Sequence, residues 1–264
     1  MIGGLSRGAC RLKNRHADVA QWEYAKVAPV RRRRILGMAV IHNVALKPSK
    51  LELLTSWLPS RPWYFGGAGE PELAEAGGFR LDDPQGEVGI EFMVVTDTSG
   101  TQPTAYMVPL TYRGAPLDGA EHALVGTMKH GILGRRWAYD GCHDPVLVAQ
   151  LLALIEGRVQ AQDQNTSDIP DRDVTRSYIG DSPARMDFTA TAIDHRECTE
   201  LSAPHGPALR LHRALRAAPD NAPVLPLEAT GHVAGAWHMP DGTRARGLFV
   251  VLHNWGQAAA VGAS

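Results

Sequence analysis

The spacing of its β-type segments limits how this chain can fold more than any other feature. VGIEFMVVTD (88–97) and TAYMVPLTY (104–112) are rich in β-branched and aromatic residues, and only TSGTQP separates them. Two such runs joined by so short a loop predict an antiparallel hairpin. In the second run Ala105, Met107 and Pro109 fall on one face, and Tyr106, Val108 and Leu110 on the other. Pro109 cannot donate to a ladder, so it points to an edge or a bulge. HALVGTMKHGILGRRWAYDG (122–141) reads as one or two further short strands that turn at their glycines. The stretch from 177 to the C-terminal region reads mostly as strands. Its last pair, HVAGAWHM (232–239) and RARGLFVVLH (244–253), flanks PDGT, and Pro-Asp-Gly between two β-rich runs is a turn signal with a mechanism.

Two helices interrupt these runs. In KPSKLELLTSWLP (47–59), Ser49 and Glu52 form a capping box, Leu51, Leu54 and Leu58 make an apolar stripe, and Pro59 stops the helix. In DPVLVAQLLALIEG (144–157), Asp144 caps, Pro145 takes the first helical position and Gly157 closes. Val148, Leu151, Leu152 and Ile155 face one way. Strands that come in adjacent runs, rather than alternating with helices, predict an α+β fold with antiparallel sheets and a few packed helices.

Between the first helix and the strands lies WLPSRPWYFGG (57–67), which gathers four aromatic residues in a chain that is 6% aromatic. Two readings are open. Trp63 and Tyr64, with Arg135, Arg136 and Trp137, form a ligand surface on which a pyranose stacks and arginines bond its hydroxyls. Alternatively, the tryptophans are a corner that fastens the helix to the sheet. Other chemistry is thinly signalled. Eleven histidines include His143 beside Asp144, His195 beside Asp194, and His205, but no HExxH or HxH spacing occurs. They read as surface or packed residues, with a metal or acid–base site as the alternative. No GxSxG, GxxxxGK[ST] or GxGxxG is present.

A net charge of −1 gives no argument for nucleic acid or an acidic membrane, and the expected partners include neither. Cys10, Cys142 and Cys198 are odd in number and far apart, which fits a reducing cytoplasm better than a disulfide framework. No apolar run reaches the ~18 residues that span a bilayer. Residues 1–37 lack a hydrophobic period and end near Arg31–Arg34. They read as a solvated tail or an over-extended start with Met38 as the true one. Contact of the basic run with nucleic acid or acidic lipid is the alternative. His42 and Asn43 interrupt the apolar stretch that an export signal needs. Residues 256–264 should fray.

LPSRPWYFGG, the strand run after it and RRWAYDGCHDPVLVAQLLALI together resemble the N-terminal cap of the maltokinase family over residues 45–157. The matching elements are Leu58 to Gly66, Tyr139–Asp140 and Asp144–Pro145. AQDQNTSDI is similar to that family's phosphate loop, which implies nucleotide-binding roles for Gln164, Asn165, Thr166 and Ser167. ALRLHRAL is similar to the strand carrying its nucleotide-binding lysine, with Arg210 in that place, and GLFVVLHN to the last strand before the hinge between lobes. The family's catalysis lies in a second, helical lobe with a His-Gly-Asp loop. Here Ile132 follows His130–Gly131, and Pro207 follows His205–Gly206.

The resemblance thus implies a cap (38–157) followed by a kinase-like N-lobe-type β region (158–255) with no catalytic residues of its own. The chain ends soon after Asn254, and the reading expects no helical lobe. The expected function is an accessory or regulatory role linked to maltose, trehalose or α-glucan metabolism, without a cofactor. Its expected partner is an enzyme of α-glucan metabolism or a separate catalytic lobe. The alternatives are a degenerate or split carbohydrate kinase, for which ATP and Mg²⁺ would be needed, and a small-ligand or glycan-binding module.

Overall fold

A computed structural model of the chain describes residues 46–166, 169–180, 184, 191–202, 207–219 and 222–254. The basic N-terminal run, Met38, Ser167, His205 and the C-terminal tail lie outside them. In chain order the elements are β1 (Leu46–Lys47), α1 (Lys50–Trp57), β2 (Leu73–Leu81), β3 (Gly89–Asp97), β4 (Thr104–Arg113), β5 (Leu124–His130), β6 (Gly134–Asp140) and α2 (Pro145–Ile155). Then come β7 (Gln162–Asp163), β8 (Thr175–Tyr178), β9 (Thr191–Asp194), β10 (Cys198–Ser202), β11 (Pro207–His212), β12 (Ala229–His238) and β13 (Arg244–Asn254).

They build a seven-stranded sheet, β1-β5-β6-β4-β3-β2-β7, and a six-stranded sheet, β8-β12-β13-β11-β10-β9. Every strand pair is antiparallel, as short connections require for the consecutive strands. The expected α+β class with antiparallel sheets is the observed one. Among the described residues, no helix is long and apolar enough to cross a membrane.

The first sheet is covered on both faces, which explains why β3 and β4 read as continuous apolar runs rather than as alternating ones. On one face, Leu54, Trp57 and Leu58 from α1 and the turn after it pack with Trp63 onto Met93, Val95, Tyr106 and Val108. On the other, Phe92, Val94 and Met107 share a core with Leu151 and Ile155 of α2 and with Leu209, Val233, Trp237 and Phe249 of the second sheet. Residues on both sides of the expected boundary at 157/158 therefore contribute to one core. β7, just past that boundary, pairs with β2 in the first sheet.

Local signals act as expected at several points. The α1 capping box is present: Glu52 N donates to Ser49 Oγ at 3.2 Å, and Ser49 N to Glu52 Oε2 at 2.6 Å. Asp144 accepts from Val146 N at 3.0 Å to cap α2, and Gly157 ends it at φ 78°. The α2 apolar face is wider than the expected stripe, since Leu147 and Leu154 are buried too, because both sheets feed the core it packs into. The Pro-Asp-Gly turn closes β12 on β13, with Met239 N donating to Thr243 O at 2.8 Å and Gly242 at φ 82°. Pro109 lies mid-sheet, but pairing of β4 with β6 begins only at Leu110. Met107 N points to that same side and donates to Arg213 O, so alternation places the proline nitrogen where the ladder is interrupted.

β2 carries Gly77 and Gly78 in mid-strand, at φ 147° and 138°, next to a register shift between Glu75 and Gly77. A Cβ on Gly78 would lie 2.3 Å from the Phe92 carbonyl oxygen. The bulge is at Ala76, which has no partner on β3, and the glycines after it let two backbones approach.

Candidate functional site at the junction of the two sheets

After β11 the chain leaves the second sheet and lies along the half of β4 that β6 does not cover. Met107 N donates to Arg213 O, and Leu215 N to Ala105 O, each at 2.8 Å. This turns the Arg213 side chain into the interior, where it is fully buried. Its guanidinium donates to Asp140 Oδ2 at 2.6 Å, Thr199 Oγ1 at 2.7 Å and Cys142 Sγ at 3.1 Å, and lies 4.7 Å from the Trp63 ring centroid. The Thr199 hydroxyl in turn donates to Asp194 Oδ1. One side chain thus ties the aromatic corner, the end of β6 and the β9–β10 hairpin together. Burial opposes ionisation of Asp140, but Arg213 outweighs it and holds the carboxyl below its ordinary value. Burial pushes the Cys142 thiol well up, so it is not a nucleophile at neutral pH.

Two more carboxylates are held in the same way. Glu91, on the α1 side of β3, accepts from Lys50 Nζ, Tyr112 Oη and Gln164 Nε2, all at 2.7 Å. Burial works against its charge, yet Lys50 and the other donors keep its pKa lowered. Asp97 accepts from Tyr64 Oη at 2.6 Å, from Ser99 N and Oγ at 2.9 Å, and from Glu72 N at 3.0 Å. Its pKa is lowered despite burial, chiefly by Tyr64, whose phenol burial and Asp97 push up to about 12. Arg113 grips Asp144 with two hydrogen bonds of 2.7 Å.

These shifts fix the pH dependence of stability. Glu91, Asp97 and Asp140 have lowered folded pKa values. They stabilise above the ordinary carboxylate value of ~4 and stop doing so as pH falls through their folded values. Burial also lowers His143, His212, His232 and His253. Their contribution is present above the ordinary imidazole value of ~6.5 and is lost below it. Tyr64, raised to about 12, stabilises below the ordinary phenol value and loses that contribution as pH rises towards about 12. Urea midpoints measured across pH should form a plateau between about 7 and 9 and fall on both sides. A midpoint that rises below pH ~4 contradicts the assignment.

The residues expected to carry a ligand are not brought together. Trp63 is fully buried, in contact with Trp57 (centroids 5.8 Å apart) and Tyr106 (6.1 Å), so it presents no face to a sugar. The corner reading of the aromatic stretch holds for it. Tyr64 is committed to Asp97. Trp137 lies opposite Arg113, seven positions along β4 from Tyr106, roughly 23 Å at the strand rise. It packs against Ala120, Ala123 and Tyr139 under the Arg135 guanidinium, and Arg136 points to the opposite face with Met128. The nucleotide-loop residues are also dispersed. Gln164 is tied to Glu91 at the edge of the first sheet. The N–H groups of Asn165 and Thr166 donate to Asp163 Oδ1 at 2.8 and 2.7 Å. Arg210 lies in the second sheet, on the face away from the shared core, in a row with Glu200, Val251, His232 and Ser177. Its nearest acid is Glu200, at 3.5 Å.

Sequence reasoning missed Arg213, Glu91 and Asp97. A signal existed for Glu91, a lone acid inside an apolar strand run. For Arg213 there was none, because nothing local in LHRAL marks one arginine as buried. A cavity of ≈ 250 Å³ also escaped it. This opens where Phe65 and Pro103 of the first half meet Glu197, Arg216, Trp237 and Met239 of the second. Glu197 and Arg216 pair at 2.6 Å on its wall, and Arg196 lies over Phe65. Among the described residues, no group of three or more His, Cys, Asp or Glu is arranged to hold a metal ion.

The architecture and this junction define a two-sheet α+β protein cross-braced by a buried arginine. Residues 57–144, a third of the chain, match the family described as the maltokinase N-terminal cap domain, and this stretch is similar to that domain. It runs from the last residue of α1 through the aromatic corner and β2–β6 to the cap of α2. No curated protein matches the chain.

Proposed function

We propose that a cap (38–157) and a kinase-N-lobe-like β region (158–255) act together as a non-catalytic accessory or regulatory module in maltose, trehalose or α-glucan metabolism. The observation that carries this reading is the fate of the buried acids. Asp83, Glu91, Asp97, Asp140 and Asp144 are the buried carboxylates among the described residues. Each is bound by donors of the protein itself; Asp83, for instance, accepts from the N–H groups of Gln85, Glu87 and Val88. Phosphoryl transfer needs carboxylates free to position a hydroxyl and hold Mg²⁺. The loop at Gln164–Thr166 supports the same reading, because Asp163 takes the N–H groups that a phosphate would accept and repels an anion there. The pathway assignment leans on the cap match alone.

Titration with ATP–Mg²⁺ and then maltose tests the proposal. The expected result is no heat and no change in melting temperature with ATP. A nucleotide at a hundred times its dissociation constant would add ~2.7 kcal/mol, roughly 5–10 °C for a chain of this size. Such a shift, abolished by Arg210→Met, would replace this reading with the split-kinase one. The junction cavity favours a second reading, a small-ligand module, and a maltose-induced change in tryptophan emission that Phe65→Ala removes would support it.

A further inference from the structure

Three exposed cations stand side by side across three strands. Register places Lys47 of β1 opposite Lys129 of β5, and Lys129 opposite Arg135 of β6. Directly opposed residues share a face with Cβ atoms ~5 Å apart, where like charges destabilise the pair. None of the three makes an ion pair among the described residues. The acid whose pKa Lys47 helps to lower is Glu52, already bonded to Ser49. Edge protection by lysine accounts for Lys47 on the outermost strand, but not for Lys129 on an inner one or for Arg135, whose guanidinium lies over Trp137.

The hairpin that carries the row ends in an apolar tip. Ile132 and Leu133 are 64% and 46% exposed. The tip is tied back to its own strand, with both of their N–H groups donating to His130 Nδ1, at 3.2 and 3.1 Å, and Gly134 turning the chain at φ 74°. Ile132 and Leu133 lie three and four positions beyond Lys129 around the turn, so the tip leads the cationic row by one to two strand steps, roughly 3–7 Å. That offset reaches into the ~5–10 Å depth to which apolar groups enter the boundary of a bilayer while their cations stay at headgroup level. An acidic peptide would satisfy the charges but would leave the projecting isoleucine and leucine without a role.

We propose that the β5–β6 hairpin is a docking site for an anionic lipid surface: Ile132 and Leu133 enter the acyl boundary, and Lys47, Lys129 and Arg135 meet the headgroups. The near-zero net charge of the chain conceals this row. The test is flotation of the full chain with phosphatidylserine-containing and pure phosphatidylcholine vesicles. Variants are Lys129→Glu with Arg135→Glu, and Ile132→Ser with Leu133→Ser. All four positions are exposed, and an unchanged melting temperature verifies folding. The wild type should bind the anionic vesicles, and less so as salt rises. Each cation removed should weaken partitioning roughly fivefold, and both double variants should lose most binding. Equal binding to neutral vesicles, or none to either, overturns the proposal. So does binding that both variants retain, which would assign it to Arg31–Arg34. Binding to polyglutamate but not to vesicles would overturn it in favour of an acidic protein partner.

Discussion

Replacing Arg213 by methionine should lower the unfolding free energy by about 3–5 kcal/mol, because Asp140 is then left buried without its counter-charge. In a chain of this size that is a fall in melting temperature of roughly 6–20 °C. Urea denaturation measures the energy, and an unchanged urea slope would show that unfolding still exposes the same surface. Arg213→Met combined with Asp140→Leu should recover most of the loss, since apolar groups can replace a buried ion pair at little net cost. Arg213→Lys should not recover it. A single ammonium cannot reproduce the divergent bonds to Thr199 and Asp140 together with the contact to the Trp63 ring. A single variant as stable as the wild type would mean that the guanidinium is not the brace between the sheets.

Trp63→Ala should cost a further ~3–5 kcal/mol, the range for truncating a buried tryptophan. Trp63 fills the angle between Trp57, Tyr106 and Arg213, and the side chains around it belong to different elements that cannot collapse together. Trp63→Phe should cost much less. The indole Nε1 has no hydrogen-bond partner, so its removal leaves no orphaned group. Trp63 and Arg213 are in contact, and a double-mutant cycle should give a coupling of ~0.5–2 kcal/mol. Additive losses would show that the guanidinium and the ring act independently. A loss below ~1 kcal/mol for Trp63→Ala would reopen the question of what the aromatic stretch does.

Much of the fold was legible because its signals are local. A six-residue loop leaves two β runs little choice but to pair antiparallel. Ser49 with Glu52, Asp144–Pro145, Gly157 and the Pro-Asp-Gly turn each satisfy backbone groups within a few residues of themselves, and each acts as the pattern indicates. β2 was not legible. Its Gly77–Gly78 pair looks like a break, and only the Phe92 carbonyl, brought close by strand pairing, shows why side chains are excluded there. The candidate site was less legible than the fold. Its clearest aromatic residue, Trp63, turned out to be core, while Arg213, Asp97 and Glu91 stood in stretches with no motif.

The sequence by itself determined the two helices and their ends, the β3–β4 and β12–β13 hairpins and the likeness of residues 57–144 to a maltokinase cap. Tertiary structure alone decided that two sheets share one core, that one arginine in LHRAL is buried, and that three cations on separate strands form a row. The physical reason is range. Caps and turns are satisfied over three or four residues and leave a trace in the order of residue types. The Arg213–Asp140 bond joins positions 73 residues apart, and no local pattern records which distant partner will neutralise a charge.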